Sequence, residues 1–320
     1  MSENVKNVNS DFSFIDINSI QAEKITAPRY SYWASVFRVF FRKKINILLI
    51  CLFILLIAGS FIIPMLIPYN PYENVTDAKT YNLSPAAAMN YFGGFSFKWL
   101  FGTGTQGNSI FAGIWASART SLLLAVICAA INMSIGIIIG AFWGYSKKAD
   151  QILLVIYNII ANVPYILLIS VLVYIIGSGF WSFVFALTVT GWLGIAYFFR
   201  TQVMIIRDRE YNLASRCLGT PTWKIITHNI LPYLVSVIMT SISRDVPSFI
   251  SYEVFLSFIG VGLGQQYASL GRMIQQYSPY MTSTPYLFWI PVAISALISV
   301  SLYIVGQTLA DASDPRTHMI

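Results

Sequence analysis

The chain has 320 residues, of which 56% are hydrophobic and only 10% are charged. This composition excludes an ordinary soluble globular domain and indicates a protein with several membrane spans. The net charge of +7 favours cytosolic loops that face anionic lipid over a surface that binds nucleic acid, because positive residues concentrate on the cytosolic side of membrane proteins.

Residue types also limit the chemistry that the chain can perform. It has only two histidines, His228 and His318, so a histidine-based metal site is not expected. None of the three cysteines is placed for a disulfide. The sequence has no GxxxxGK[ST] phosphate-binding loop, so any nucleotide chemistry is expected on another chain.

The N-terminal region is predicted to be a polar tail followed by an amphipathic stretch. Residues 1–27 are polar, and the first apolar run begins only after residue 44, which argues against a cleaved signal peptide. Residues 28–44 mix aromatic with basic side chains, as is typical of a helix that lies in the membrane interface. The same stretch also fits the beginning of the first span, and both interpretations stay open.

Six apolar segments follow, each close to the ~20 residues that a helix needs to cross a hydrocarbon core of ~30 Å. The predicted spans are residues 45–67, 120–145, 152–176, 180–199, 233–258 and 286–309. The resulting regions are the N-terminal residues 1–44, the first span, an outer loop 68–119, a core domain 120–309 and a C-terminal tail 310–320. Fifteen Lys and Arg residues lie on one side and three on the other, which predicts that both termini are cytoplasmic.

Small residues and one proline stand out within the predicted spans. Gly136, Gly140 and Gly144 recur every four residues, which leaves one helix face bare and predicts close packing against another helix. Pro164 is predicted to kink the third span. For both Pro164 and Trp192 we favour a structural role over a role in shaping a cavity.

The longest polar stretch between apolar runs is residues 209–232, which we call the elbow. It is predicted to form two short helices with a sharp turn between them. Asp208 is expected to cap the first helix. Four apolar or small residues at helical spacing predict a narrow face on that helix: Leu213, Ala214, Cys217 and Leu218.

The turn and the second helix of the elbow follow from four residues. Gly219 is expected to end the first helix with a left-handed backbone. Thr220 is predicted to cap the second helix, Pro221 to occupy its first position, and Pro232 to end it. Taken alone, this pattern fits either a simple connector or a docking element.

Charged residues inside the fifth apolar run are the sharpest local anomaly. Arg244 and Asp245 are adjacent and point about 100° apart on a helix, while Glu253 lies further along. A charge at mid-membrane costs about 2.5–3.5 kcal/mol on insertion scales, so each group needs a partner or water. We predict that these three residues line a hydrated translocation path, with an internal salt bridge or an interfacial position as the alternative.

The elbow resembles the EAA loop of permease subunits in binding-protein-dependent ABC importers. The matching residues, including the Glu-Tyr pair typical of the peptide branch, are Glu210, Tyr211, Leu213, Ala214, Ser215, Gly219, Leu231 and Pro232. Two positions depart from the pattern, because Leu213 replaces a frequent Glu and Asn229 replaces a frequent Ile.

The resemblance extends over about residues 98–316. In the outer loop three family residues are kept and three charged ones are replaced: Gly102, Thr103 and Gly107 are kept, and Gly104, Asn108 and Ser109 are the replacements. Further matches are Asn158, Pro164, Trp192, Arg200, Glu253 and the tail Gly306–Arg316. The whole pattern is similar to the C-type permeases of oligopeptide importers, above all the streptococcal Ami/Opp permeases and their relatives.

This resemblance implies an all-α membrane protein with the six-helix permease fold of type I ABC importers. It implies a bacterial plasma-membrane location, a second homologous permease, two ATP-binding subunits and a lipid-anchored extracytoplasmic peptide-binding protein. ATP and Mg would bind the ATPase subunits, and this chain would bind no cofactor and catalyse no reaction. The elbow residues named above, together with Thr220, would couple to the ATPases.

Two alternatives remain at this stage. The nearest is a dipeptide or nickel importer of the same family, since these share the tail motif. The more distant is a membrane enzyme or an ATP-independent channel.

Overall fold

The computed structural model describes residues 31–42, 44–70 and 77–314, and in these ranges the regular secondary structure is helical. The α-helices are α1 Tyr32–Arg42, α2 Lys44–Leu66, α3 Pro85–Tyr91, α4 Ile110–Tyr145, α5 Lys147–Ala161, α6 Tyr165–Ile176, α7 Phe180–Thr188, α8 Trp192–Arg207, α9 Glu210–Cys217, α10 Thr222–Ile225, α11 Val235–Phe258, α12 Leu270–Tyr277 and α13 Pro285–Ala312. The predicted polar tail 1–27, residues 28–30 and the tail positions Pro315 and Arg316 lie outside the described residues.

Within the described ranges, five helical segments are long and apolar enough to cross a membrane. A sixth is obtained when the bent pair α5 and α6 is counted as one span, so six spans agree with the sequence. Three helical segments extend beyond the predicted spans. The second begins at Ile110, the fourth continues to Arg207, and the fifth begins at Thr222.

Pro164 interrupts the third span more sharply than a kink. The helices α5 and α6 are bent by 78° at the three-residue break between them. Pro164 itself has extended backbone, with ψ of 122°, and occupies the cap position before α6. The prediction that Pro164 distorts this span is therefore confirmed.

The glycine ladder is the contact surface between α4 and α8. A Cβ atom added at Gly140 or Gly144 would lie 2.5 Å from the backbone oxygen of Ala196 or Arg200, respectively. At Gly136 an added Cβ would lie 2.6 Å from Ile195. The two helices thus approach backbone to backbone, and the predicted packing role of the ladder is confirmed.

The helix α1 packs against the C-terminal end of α13. Its Val36 and Phe40 are buried together with Ala312 near the end of α13. The Tyr32 hydroxyl donates to the Ser313 carbonyl oxygen at 2.7 Å. Residue 43, at the junction of α1 and α2, lies outside the described residues, so both interpretations of residues 28–44 stay open.

Residues 77–109, within the predicted outer loop, fold into a compact segment that leads into α4, which we call the outer segment. Gly102 and Gly107 both have a φ of +77°, which explains why glycine stands at these two positions. Thr103 pairs with Ser109 across an isolated bridge, and its buried hydroxyl donates to the carbonyl of Thr80. The loop is thus closed by backbone contacts, although the family's three charged residues are absent.

Candidate functional site

The elbow contains two short helices joined by a tight turn, as the sequence predicts. The first helix, α9, begins after Arg209, whose backbone is extended and whose side chain makes no capping bond. The predicted cap Asp208 is wrong, because this residue ends α8 and its carboxylate pairs with Arg207 at 3.1 Å.

The turn at Gly219 is a Schellman motif, in which two backbone bonds close the end of a helix. The Gly219 N–H donates to the carbonyl of Arg216, and the Thr220 N–H donates to that of Ser215, both at 3.0 Å. Gly219 has a φ of +78° and no atom within 4 Å of an added Cβ. Its glycine is therefore required by backbone conformation, not by crowding.

Two helix-start predictions in the elbow are wrong by one position. Thr220 closes α9 through the bond to Ser215 and does not cap the second helix. Pro221 is the cap residue of α10, with an extended ψ of 146°, and the helix itself begins at Thr222. Pro221 keeps its role of starting the helix, since it has no N–H that would need a partner.

A polar clamp joins the two arms of the elbow. The buried Asn212 on α9 donates to the Ile206 carbonyl of α8 at 3.0 Å. The Asn229 amide donates to Asn212 Oδ1 and to Ser215 Oγ, both at 3.2 Å. This clamp accounts for Asn229, which the sequence showed only as a departure from the family pattern.

Several large apolar side chains of the elbow are exposed although they belong to a polar segment. Leu218 is 85% exposed and Trp223 is 56% exposed. Tyr211 and Leu213 are also exposed, as are Glu210 and Ala214. Among the predicted coupling residues, Ser215, Thr220 and Leu231 are half-buried, and Leu231 packs inward. The exposed residues form a surface without a partner inside the described part of the chain.

The second arm of the elbow does not end at Pro232, contrary to the prediction. A π-helical turn, Ile226–Ile230, follows α10, and Pro232 then starts a short 3₁₀-helix that leads into α11. Because Pro232 is the first residue of that turn, its missing N–H interrupts little. Helical backbone therefore continues from Thr222 to Phe258.

This continuous helical segment carries Arg244 and Asp245 to the wall of a cavity of about 510 Å³. The Arg244 guanidinium lies 3.5 Å from the Asp245 carboxylate and 5.9 Å from the centroid of the Phe198 ring. Arg244 is largely exposed, whereas Asp245 is mostly buried. Asp245 Oδ2 has no hydrogen-bond partner among the described residues. The pair is therefore weakly satisfied by itself, as predicted from the adjacency of its two members.

The remaining cavity wall comes from the breaks in two spans, which the sequence pattern did not connect with the charged pair. Pro164 and Thr190 line the cavity at these breaks. Tyr165 and Tyr252 meet edge to face with ring centroids 5.3 Å apart, and both line the cavity. In the sequence, the helix break at Pro164 was the signal from which a cavity wall at this position could have been predicted.

Glu253 does not belong to this cavity, and its predicted place on the path is wrong. It is fully buried within the chain. Its carboxylate accepts hydrogen bonds from Ser121 at 2.8 Å and from Ser257 at 2.9 Å. Ser121 also accepts the Leu270 N–H, so the group fastens α11 and α4 to the start of α12.

The described part of the chain is thus a multi-span helical protein with an exposed elbow and a charged cavity, and the comparisons with known proteins give its class. The sequence matches the family described as binding-protein-dependent transport system inner membrane component over residues 133–319. Residues 31–85 match the N-terminal transmembrane domain of oligopeptide transport permease C. The chain belongs to this family of transport permeases and is a multi-pass membrane protein of a transporter complex.

Curated relatives cover nearly the whole chain. It is 47% identical to the oligopeptide transport system permease protein AmiD of Streptococcus pneumoniae, over 96% of this chain and 97% of the relative. It is 32% identical to the dipeptide permease DppC of Bacillus subtilis (92% and 89% covered) and 30% identical to OppC of the same species (93% and 94%). Among solved structures, the inward-facing MetNI methionine ABC transporter is similar at 17% identity with a TM-score of 0.48, over 60% of this chain and 94% of that one.

Proposed function

We propose that this chain forms half of the translocation path of an ATP-driven oligopeptide importer in a bacterial plasma membrane, with both termini cytoplasmic. A second homologous permease supplies the other half. Two ATP-binding subunits, which hold ATP and Mg, grip the elbows of the two permeases. A lipid-anchored binding protein delivers the peptide to the outer face, and this chain binds no cofactor of its own.

The observation that carries the proposal is the unbroken helical connection between the elbow and the cavity. Thr222 and Arg244 lie on one helical segment, 22 residues apart, which corresponds to roughly 33 Å at the rise of an α-helix. We infer that a displacement of the elbow is transmitted along this segment to the charged pair, and that the segment bends at the π-helical turn Ile226–Ile230 and at the 3₁₀ turn that begins at Pro232. Rigid movement of packed helices is a recurrent way of switching access.

The surface of the elbow supports docking to another subunit. Exposed Ala214 allows a partner backbone to approach closely, and the exposed side chains of Leu218 and Trp223 supply apolar contact area. The Asn212 clamp fixes the two arms relative to each other. Gly219 sets the angle between them by its left-handed backbone.

The cavity supports a peptide as the transported molecule. A peptide has a positive and a negative end and a row of amide groups, and Arg244 and Asp245 offer the complementary charges. A cavity of about 510 Å³ holds only part of an oligopeptide, in agreement with a second permease that completes the path. The relative with 47% identity is named for oligopeptides, and the one with 32% identity for dipeptides, which favours the longer cargo.

Two variants of the elbow test this proposal. Ala214→Arg places a long charged side chain on the docking surface, and Gly219→Val forces a β-branched residue into a left-handed backbone. Both variants are expected to abolish most ATP-dependent peptide uptake by proteoliposomes that contain the whole transporter. Lys148→Ala, in the other cytosolic turn, is the control and is expected to leave uptake unchanged.

Each variant must also be followed at the level of assembly. The amount of each variant chain in the membrane should equal that of the wild-type chain. The ATPase subunits should either be lost from the purified complex or hydrolyse ATP without peptide transport. Wild-type coupling in both variants would refute the docking role. Peptide flux in vesicles without nucleotide would point instead to a channel.

A further inference from the structure

Five aromatic residues lie close together on the outer side of the protein. They occupy residues 91–99, which we call the aromatic segment: Tyr91, Phe92, Phe95, Phe97 and Trp99. Phe95 is 71% exposed and Phe97 is 64% exposed. Large apolar patches on a protein surface mark contact sites. The exposed rings, which lie within nine residues of one loop, therefore indicate a contact.

The aromatic segment is held in a defined shape. The Phe92 and Trp99 rings stack at a centroid distance of 3.9 Å, and Phe95 and Phe97 meet edge to face at 5.4 Å. The Tyr91 hydroxyl donates to Asp77, and this bond holds the pKa of the Asp77 carboxyl below its usual value. The exposed rings are therefore presented by an ordered surface.

The height of the aromatic segment follows from the packing of α2 against α4. The Trp115 ring lies directly against Gly59, where an added Cβ would be 2.5 Å from it. From the level at which Trp115 contacts Gly59, α4 extends six residues, or roughly 9 Å, back to its N-cap residue Ser109. The antiparallel α2 rises seven residues, or roughly 10 Å, to its last residue Leu66. The two helix ends thus lie at about the same height.

The aromatic segment is attached at that height. The Ser109 hydroxyl donates to the carbonyl oxygen of Lys98, which places the aromatic segment at the N-terminal end of α4 and so at about the height of the outer end of α2. That helix has 23 residues, or about 34 Å, slightly more than the ~30 Å hydrocarbon core. Its outer end therefore marks the boundary between acyl chains and headgroups, and Met65 and Leu66 are largely exposed there.

We propose that the aromatic segment is seated in the outer leaflet, at the level of the lipid headgroups. Phe95 and Phe97 insert between the upper parts of the acyl chains, at the height of the outer end of α2. Lys98, whose ammonium lies 4.9 Å from the Trp99 ring centroid, faces the phosphates. Aromatic and basic residues concentrate at this depth because their rings are apolar and their polar atoms stay wet. The contact fixes the height of α2 and of the outer segment relative to the bilayer.

Spin-label accessibility tests this placement in the intact transporter. The exposed cysteines Cys51 and Cys217 are replaced by Ser, and the buried Cys128 is kept. Labels are then attached to Phe95→Cys or Phe97→Cys in vesicles of phosphatidylcholine and phosphatidylglycerol. Met65→Cys, at the outer end of α2, is the lipid control, and Lys79→Cys, exposed in the same outer segment, is the water control.

The expected result is that lipid-soluble oxygen relaxes the labels at 95 and 97 several-fold more strongly than a water-soluble nickel complex, as at 65. Equal access of the nickel complex at 95, 97 and 79 overturns the proposal, because the rings would then face water. Protection from both reagents also overturns it, because a protein subunit would then cover the segment. Adding the extracytoplasmic binding protein should leave the accessibility at 95 and 97 unchanged, and new protection there would assign the surface to that protein.

Discussion

Arg244 is the residue whose charge the cavity exposes most. Its side chain is 62% exposed and its ion pair with Asp245 spans 3.5 Å. Solvent and a passing peptide can therefore compete for the guanidinium, whereas a tight bidentate pair would resist such competition. Under the proposed function, we expect Arg244 to recognise an anionic group of the cargo.

We expect Arg244→Ala to reduce uptake of peptides with acidic side chains more than uptake of neutral or basic peptides. Losing one charge-assisted hydrogen bond, worth about 1.5–3 kcal/mol, corresponds to roughly ten- to a hundredfold in transport efficiency. Arg244→Lys keeps the charge and should retain part of the activity. Initial uptake rates for peptides of matched length and different charge measure the effect. Equal rates for all peptides in the Ala variant would leave Arg244 with a structural role only.

Asn212 is the second residue with a specific consequence. Asn212→Ala removes the bonds to the Ile206 carbonyl and to the Asn229 amide. A buried polar group left without a partner costs about 1–3 kcal/mol, so the elbow should open more often. Hydrogen exchange of residues 209–232 should accelerate about tenfold or more, and uptake should fall. Unchanged exchange would show that the clamp does not hold the arms together.

Among single residues, the sequence predicted the structure correctly where the residue type itself dictates the backbone conformation. Gly219 was predicted from its neighbours because a helix that stops at glycine requires a left-handed backbone. Asn229 and Glu253 could not be placed, because a polar side chain carries no sign of its partner in the sequence. Their partners lie 17 and 132 residues away, and only folding brings them together.

At the scale of helices, the pair α4 and α8 forms the most closely packed contact of the core. Gly140 faces the Ala196 backbone, which cannot move aside as a side chain could. Interiors at this density do not accept extra volume without shifts of the backbone.

We therefore expect Gly140→Leu to prevent stable folding or to lower the melting temperature of the detergent-extracted transporter by several degrees. Forced overpacking costs about 1–3 kcal/mol or more. Gly194→Ala, on α8, has no atom within 4 Å of the added Cβ and is the matched control for stability. A melting temperature equal to wild type in Gly140→Leu would mean that α4 and α8 are not in backbone contact.

The glycine ladder and the break at Pro164 were predictable because spacing and residue type alone specify them. The end of the elbow was not predictable from spacing and residue type. Pro232 predicts a helix stop in isolation, but the preceding π-helical turn and the 3₁₀ turn let the chain continue into α11. The start of α4 at Ile110 was also missed, although its first turns are mostly apolar and are buried.

For the whole molecule, the proposed orientation can be tested with a native cysteine. Cys217 is exposed on the elbow, so a membrane-impermeant maleimide should label it in inside-out vesicles and not in right-side-out vesicles. Cys51 lies within α2, where it faces lipid and a water-soluble reagent reaches it poorly. The Cys217→Ala variant shows the background. Labelling from the outer side would reverse the orientation and with it the docking role of the elbow.

The continuous helical segment Thr222–Phe258 has one further consequence, which concerns the effect of bound cargo on nucleotide affinity. If a bound nucleotide changes how tightly the cavity holds its cargo, thermodynamic linkage requires the cargo to change nucleotide affinity by the same factor. Under the proposed function, a peptide bound at the cavity wall near Arg244 therefore alters how tightly the partner subunits hold nucleotide. Cargo and nucleotide then sense each other through the permease.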